Sequence, residues 1–226
     1  MSSPICQLCE VKSSAARHLS DKELEKMNNH CVQVSYKKGE TIFKQGSFST
    51  NITYLRSGLV KVHILGPEKE QIIKIAKAPS YLGIPTTIDE EINQYSATAI
   101  MDTNVCYIDI DTFKNFLLTN GNFSYQLVID LCQEELASYT RCVNRAQKNA
   151  AGKIADALLF FKNEIFESSK FTLPLSREEL GNLIDATRES VSRTIAELNN
   201  DGFIEVSGKH IEILREESLE IISRNG

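Results

Sequence analysis

The stretch "LSREELGNLIDATRESVSRTIAELNNDGFIEVSGKHIEIL", residues 175–214, leaves few ways for a chain to fold. Ser176 stands where a helix N-cap is wanted, and Glu179 three residues on completes a capping box, so a first helix begins there. "DATRESVSRTIAELNNDG" reads as a turn, a second helix and a stop at Gly202. "FIEVSGKHIEIL" then alternates apolar and polar residues around Ser207-Gly208, the pattern of a hairpin. Two helices across a short turn, followed by a hairpin, define a winged helix-turn-helix.

The helical period divides the second helix into two faces. Val191, Ile195 and Leu198 are expected to anchor it to Leu180, Leu183 and Ile184. Arg188, Glu189, Ser192 and Arg193 fall on the other side, within about one and a half turns of the helix start. A plain helical bundle with a hairpin gives no reason for polar residues there. A helix-turn-helix does, because its second helix points its first residues at base edges in the major groove. Arginine pairs bidentately with guanine, glutamate accepts from cytosine N4, and serine serves either. The candidate DNA-binding set is Arg188, Glu189, Ser192 and Arg193, with the hydroxyls of Ser176 and Thr187.

Upstream the rhythm differs. From about Val32 to Ile110, as in "YKKGETIFKQGSFSTNITYLRSGLVKVHIL", short β-rich runs alternate with glycines at 39, 46 and 58 spaced as turns. This predicts a closed β-roll or sandwich. Before it, "LSDKELEKMNNH" reads as a short helix capped by Ser20 and Glu23. From about Asn122 to Lys148 the period becomes seven: Ile129, Leu136, Val143 and Ala150 recur, with Cys132, Tyr139 and Ala146 three after the first three. That is an a/d seam, either packed on the chain's own β-domain or facing a second helix. The predicted dimer interface is Ile129, Cys132, Leu136, Tyr139 and Val143.

Charge offers no global sign of a nucleic-acid partner. The formal net charge is −5, and from residue 150 onward nine Lys and Arg face fourteen Asp and Glu. Any DNA affinity has to come from a local patch. The N-terminus, "MSSPICQLCEVKSS", has no apolar run of signal-peptide type, and no stretch approaches a membrane helix, so a cytoplasmic location without membrane contact is expected. Six cysteines without an export signal argue for reduced thiols rather than a disulfide framework. Cys6 and Cys9 form a C-x-x-C pair, while Cys106, between Val105 and Tyr107, reads as a core strand residue, the commoner fate of a cysteine in such a setting. Cys132 and Cys142 read as packing residues of the long helix. A zinc site from Cys6, Cys9, Cys31 and His18 or His30 lacks a tight second half-motif. A redox enzyme using Cys6 and Cys9 lacks a nearby general base and sits in what reads as a mobile terminus.

Taken together, β-roll, long helix and winged helix-turn-helix in that order resemble the CRP/FNR transcription regulators across nearly the whole chain. "SREELGNLIDATRESVSRTIAELNNDGFIEV" is similar to that family's recognition motif, and "KKGETIFKQG…YLRSGLVKV" to its cyclic-nucleotide-binding-type β-roll. By resemblance, Arg188, Glu189 and Arg193 match the base readers of the CRP branch, and Glu189, Ser192 and Arg193 those of the FNR branch. The CRP branch resembles a G-E-L-G turn and an Arg-Ser pair around a cyclic phosphate. Here "SYLGIPTT" lacks that glutamate, and "NQYSATA" puts Tyr95-Ser96 where the pair stands. A buried phosphate without a cation is costly, which argues against cAMP. The FNR branch resembles an iron–sulfur sensor. Cys106 sits at its β-roll position and Cys6 and Cys9 match part of its N-terminal cluster, but no thiolate follows close behind Cys9, and Cys31 lies much further on. The metal candidates are Cys6, Cys9, Cys31 and Cys106, with the cofactor unknown between an iron–sulfur cluster, another metal and none.

The expected fold is α+β: an N-terminal segment with a short helix over 1–30, a jelly-roll-like double-stranded β-roll over 31–120, a dimerisation helix over 121–150 and a winged helix-turn-helix over 151–226. The expected function is that of a non-enzymatic regulator binding double-stranded DNA at a palindromic operator as a homodimer, in response to an intracellular redox or nitrosative signal. RNA polymerase is a partner if it activates. The alternative is a cyclic-nucleotide-type adaptor whose winged helix binds protein.

Overall fold

In the computed structural model of the chain, which describes residues 6–88 and 91–226, Ser20 opens the first helix as its spacing predicts. Its side chain accepts from the Glu23 N–H and the Glu23 carboxylate accepts from the Ser20 N–H, a complete capping box starting α1 (Asp21–Asn29). The first five residues of the 1–30 segment lie outside the described residues. The remainder of that segment is no loose tail. Two 3₁₀ turns, Cys6–Leu8 and Ala15–His18, bury Ala15 and Ala16 with Leu19, Leu24 and Met27 in one apolar cluster. Ser13 Oγ lies 2.8 Å from the Tyr81 hydroxyl, and the Cys6 N–H donates to Asn28 Oδ1 at 3.1 Å.

The chain divides into two compact units, Met1–Lys69 with Ile73–Leu136, and Glu70–Ile72 with Ala137–Gly226. The first carries β1 (Cys31–Tyr36), β2 (Thr41–Phe43), β3 (Asn51–Ser57), β4 (Leu59–Leu65), all of β5 (Glu70–Lys77) but its first three residues, β6 (Ser80–Leu82), α2 (Ile84–Ile88), β7 (Ser96–Ala99), β8 (Thr103–Asp109) and α3 (Ile110–Thr119). The strands form two four-stranded sheets, ordered β1-β8-β3-β6 and β2-β7-β4-β5, which is the β-roll expected. Strand alternation sends one set of side chains inward: Leu55, Val60, Val62, Ala97 and Val105 share one buried cluster. The opposite face of the first sheet carries Cys31, Ile52, Tyr54, Cys106 and Ile108, buried beneath the N-terminal segment with Phe113, Phe116 and Phe123. Two cores thus lie on the two sides of one sheet.

The glycines at 39, 46 and 58 all take positive φ, as turns of this kind demand. Gly58 is the most constrained. A Cβ there would lie 2.4 Å from Thr103 Oγ1 and 2.6 Å from the Asp102 carbonyl oxygen, at φ +96°. Gly58→Ala is expected to destabilise the fold by about 3 kcal/mol, combining backbone strain with a clash against main chain. Urea denaturation checks this, and a change under about 0.5 kcal/mol, the usual range for an unconstrained surface site, contradicts it.

A 27-residue helix, α4 (Gly121–Gln147), follows where the heptads predict it. The heptad position at Ala150 does not belong to it. Asn149 accepts from the Gly152 N–H and caps a new helix, α5 (Ala150–Phe160), because an N-cap in extended conformation ends the helical run. Cys132 and Cys142, read as packing residues, are both exposed in the single chain, because the buried residues of α4, Phe123 and Leu127, lie in its first two turns only.

In the second unit, α5 runs into a π-helical turn (Phe161–Phe166) and then β9 (Lys170–Thr172), α6 (Arg177–Ile184), α7 (Arg188–Asn200), β10 (Ile204–Ser207), β11 (His210–Ile213) and α8 (Glu216–Asn225). Val191, Ile195 and Leu198 are buried with Leu180 and Ile184 as expected, and Leu183 is half-buried. Gly181 lets the α6–α7 turn fold back tightly: a Cβ there would stand 2.6 Å from the Ala186 carbonyl oxygen. The hairpin is present, with β9 added as a third strand in the order β10-β11-β9. Its turn is Gly208-Lys209 rather than Ser207-Gly208, because Ser207 pairs with His210 and Gly208 takes φ +63°.

Candidate nucleic-acid interface and thiol pocket

Thr187 starts α7 by accepting the Ser190 N–H at 3.1 Å, and Ser176 starts α6 through a capping box with Glu179. Both hydroxyls expected to contact DNA are therefore also engaged in positioning their helices. From these starts the geometry follows. Arg188, Glu189, Ser192 and Arg193 are all exposed, while Val191, Thr194, Ile195 and Leu198 are buried beneath them. Arg193 lies at the limit of an ion pair with Glu197, at 4.0 Å, and both side chains are solvent-facing, so this contact holds neither firmly.

Two cations near this face escaped the sequence reading. Arg177, the first residue of α6, donates through Nη2 to the Gly208 carbonyl at 3.3 Å, while its Nη1 is buried with no hydrogen-bond partner. Burial pushes the Arg177 guanidinium pKa down. Arg177, Arg188 and Lys209 line one cleft of about 210 Å³ between the wing turn and the start of α6. The signal was available: an arginine at a capped helix start and a lysine in a two-residue wing turn are both placed to meet an anion.

On α4, the seam residues Leu136, Tyr139 and Val143 are 64%, 57% and 50% exposed; Cys132 is exposed and Ile129 half-buried. Tyr125 and Val128 are exposed apolar residues on the same helix. Long apolar side chains left this open on one helix are the mark of a surface meant to be covered.

The candidate metal residues come from distant parts of the sequence and meet in the first unit. Cys6, Cys9, Cys31 and Cys106 line a single pocket under the N-terminal segment, with Tyr54, Arg56 and Tyr81. Sheet register explains half of this. Cys106 pairs across to Gln33 on β1 and Tyr54 on β3, while Cys31 pairs with Ile108, two residues along the same face of β8. The first 3₁₀ turn then sets Cys6 over them. The Cys31 thiol is pushed up by its hydrogen bonds to Cys106 and Cys6 and by burial. Those same bonds lower the other two, Cys6 to about 7, with the Arg56 charge adding to both. The sulfurs bond to one another rather than converging on a point: among the described residues no three His, Cys, Asp or Glu are arranged to hold a metal ion. His18 and His30, the alternative zinc ligands, are exposed and do not line the pocket. Beside the four thiols the pocket is lined by Lys12, Ser13, Met27, Tyr54, Arg56 and Tyr81, with no His, Asp or Glu.

In the β-roll, the Tyr95-Ser96 pair is occupied by backbone. The Tyr95 hydroxyl accepts the Gly83 N–H at 2.8 Å and Ser96 Oγ accepts the Gln45 N–H at 2.9 Å.

A β-roll, a long helix with an open apolar stripe, and an exposed arginine-bearing second helix in a winged helix-turn-helix define a class of DNA-binding transcription regulator. Known proteins agree with this. The family models "Crp-like helix-turn-helix domain" and "Cyclic nucleotide-binding domain" match residues 152–222 and 33–120. The transcriptional activator protein FnrA of Stutzerimonas stutzeri is 29% identical over 79% of this chain and 75% of its own. The fumarate and nitrate reduction regulatory protein of Yersinia pestis is 25% identical over 97% and 90%. FixK2 from Bradyrhizobium japonicum shares the fold, with a TM-score of 0.77 at 21% identity over 85% of this chain and 96% of that one. The chain belongs to the CRP/FNR family of transcription regulators. These relatives bear regulators' names rather than enzymes', and nothing among them supports a protein-binding adaptor. No helix among the described residues is long and apolar enough to cross a membrane.

Proposed function

We propose that the chain is a cytoplasmic homodimeric regulator whose thiol pocket holds an iron–sulfur cluster and whose two α7 helices read a palindromic operator. One observation carries the sensor half: four cysteines from the N-terminal segment, β1 and β8 line one pocket whose lining has no His, Asp or Glu. Four thiolates are the usual requirement of a cubane cluster, and Cys31 supplies the fourth that no residue close behind Cys9 provides. Bound there, such a group supplies sensitivity to oxidising or nitrosative species. The protein's own part is to bring the sulfurs together beneath a packed segment that limits solvent access. The open stripe of α4 supports dimerisation, and the arginines of α7 support base readout, with Arg177 and Lys209 on phosphates. The activator names of the relatives support RNA polymerase as a further partner.

Anaerobic reconstitution with ferrous iron and sulfide tests the sensor. Wild type should bind about four irons and four sulfides per chain and absorb in the visible. Cys6→Ser, Cys9→Ser, Cys31→Ser and Cys106→Ser should each abolish this, while Cys132→Ser and Cys142→Ser should leave it unchanged. Wild type without iron or visible absorbance contradicts the cluster. Full loading of Cys31→Ser contradicts the ligand set.

A further inference from the structure

Helix α6 ends against residues from outside the helix-turn-helix. The last four carbonyls of any α-helix find no partner within it, so each needs a donor from elsewhere. Asp185 caps α6 in the left-handed conformation, at φ +56°, and the chain then turns toward α7. That turn supplies the Gly181 carbonyl through the Asp185 and Ala186 N–H groups. The next two carbonyls are held by residues far away in sequence. The Gln71 side-chain amide of β5 donates to the Asn182 carbonyl, and Arg145 Nε of α4 donates to the Leu183 carbonyl at 3.0 Å. Arg145 Nη2 donates in turn to the Ile72 carbonyl of β5 at 2.8 Å. β5 stands at the edge of its sheet, where outward carbonyls are open to such a donor. All five residues belong to the second compact unit. Arg145 is half-buried; burial, with Arg141 nearby, pushes its guanidinium pKa down, and it faces the negative end of α6 as a cation.

We propose that Arg145 is a positioning residue for operator binding: from the last turn of α4 it grips the end of α6 and the edge of β5 together, and so sets the angle at which α7 is carried on the dimer helix. This rests on the reading of α4 as the dimer helix and α7 as the base reader. Arg145 follows Val143 by two residues and falls outside the a/d seam, so its grip is separate from the dimer contacts. Only three residues, 185–187, join α6 to α7, and the two helices share buried Leu180, Ile184, Val191 and Ile195. A grip on α6 is therefore a grip on α7. Two recognition helices carried at a fixed angle accept one half-site spacing. Each added base pair turns the second half-site by roughly 35° and moves it by about 3.4 Å.

The test uses full-length wild type and Arg145→Met, both prepared anaerobically. Three probes are compared: the palindrome that wild type enriches from random duplexes, the same palindrome with one base pair added or removed between its half-sites, and a short duplex carrying one half-site. Arg145→Met should bind the palindrome about tenfold more weakly than wild type, the loss expected when a charged donor leaves two acceptors. Its half-site affinity should stay within about twofold of wild type, because one α7 on one half-site does not depend on the angle to α4. Its preference for the original spacing over the altered ones should fall by about the same tenfold factor. Equal weakening on half-site and palindrome overturns the proposal, since the DNA-reading unit itself is then damaged. An unchanged spacing preference overturns it as well. Should Arg145→Met fail to fold by far-ultraviolet dichroism, Gln71→Ala carries the test, because Gln71 holds the neighbouring Asn182 carbonyl from the same strand edge. A relaxed spacing preference in that variant supports the grip, and an unchanged one overturns it. A wild type that enriches no palindrome refutes the two-fold reading and removes the proposal with it, a result distinct from any difference between wild type and Arg145→Met.

Discussion

Leu136→Glu and Val143→Glu are each expected to turn the proposed dimer into a monomer and to abolish operator binding. Both side chains sit on the open stripe of α4, 64% and 50% exposed in the single chain, so neither substitution disturbs its core. In a helix–helix seam the same positions are knobs inserted into the partner helix, and a carboxylate there is buried without a cation. The cost is about 3–5 kcal/mol per buried unpaired charge, and two-fold symmetry places each substitution in the interface twice. Far-ultraviolet dichroism should therefore match wild type while sedimentation at micromolar concentration shows only monomer. A wild type that sediments as a monomer, or variants that remain dimeric, contradict the seam.

The second large effect concerns the α7 arginines. Arg188→Ala and Arg193→Ala should each cost about 1–3 kcal/mol on the operator and relax preference at one base position, where a bidentate arginine–guanine pair is lost. Glu189→Ala should relax preference for a cytosine. Arg177→Ala and Lys209→Ala should behave differently. They stand in the cleft by the wing turn, which only Arg188 of the four α7 candidates also lines, and are proposed to meet phosphate. Their loss should weaken every sequence alike and reduce the salt slope by about one per site. With nine Lys and Arg against fourteen Asp and Glu from residue 150 onward, few cations support non-specific binding, so these contacts weigh heavily. Fluorescence anisotropy on single-base variants of the operator, at two salt concentrations, separates the two groups. Uniform weakening by Arg188→Ala and Arg193→Ala shows that they too contact phosphate.

What the sequence disclosed and what it withheld divide along the range of the interactions. The capping boxes at Ser20 and Ser176 are local, each complete within four residues, and the structure has both. The two faces of α7 follow from helical periodicity alone. The heptads located α4 but not its end, because the Asn149 cap breaks the helix without breaking the apolar spacing. The hairpin was legible to within one residue; its register depends on which position takes positive φ, and that was Gly208. The thiol pocket was the least legible part. Cys31 stands 22 residues after Cys9 and 75 before Cys106. Only the β1-β8 pairing and the fold of the N-terminal segment over that sheet bring them together. Arg56 was invisible for the same reason: nothing in "YLRSG" says which face of which strand it will share, or with whom.

The central claim is that two copies of α7 read a two-fold symmetric DNA site, and binding selection on random duplexes tests it most directly. Wild-type protein, prepared anaerobically, should enrich a palindrome whose half-sites lie about 10 bp apart centre to centre, each with two guanines and a cytosine in its core. Enrichment of no sequence, or of a single unrepeated half-site, contradicts the account.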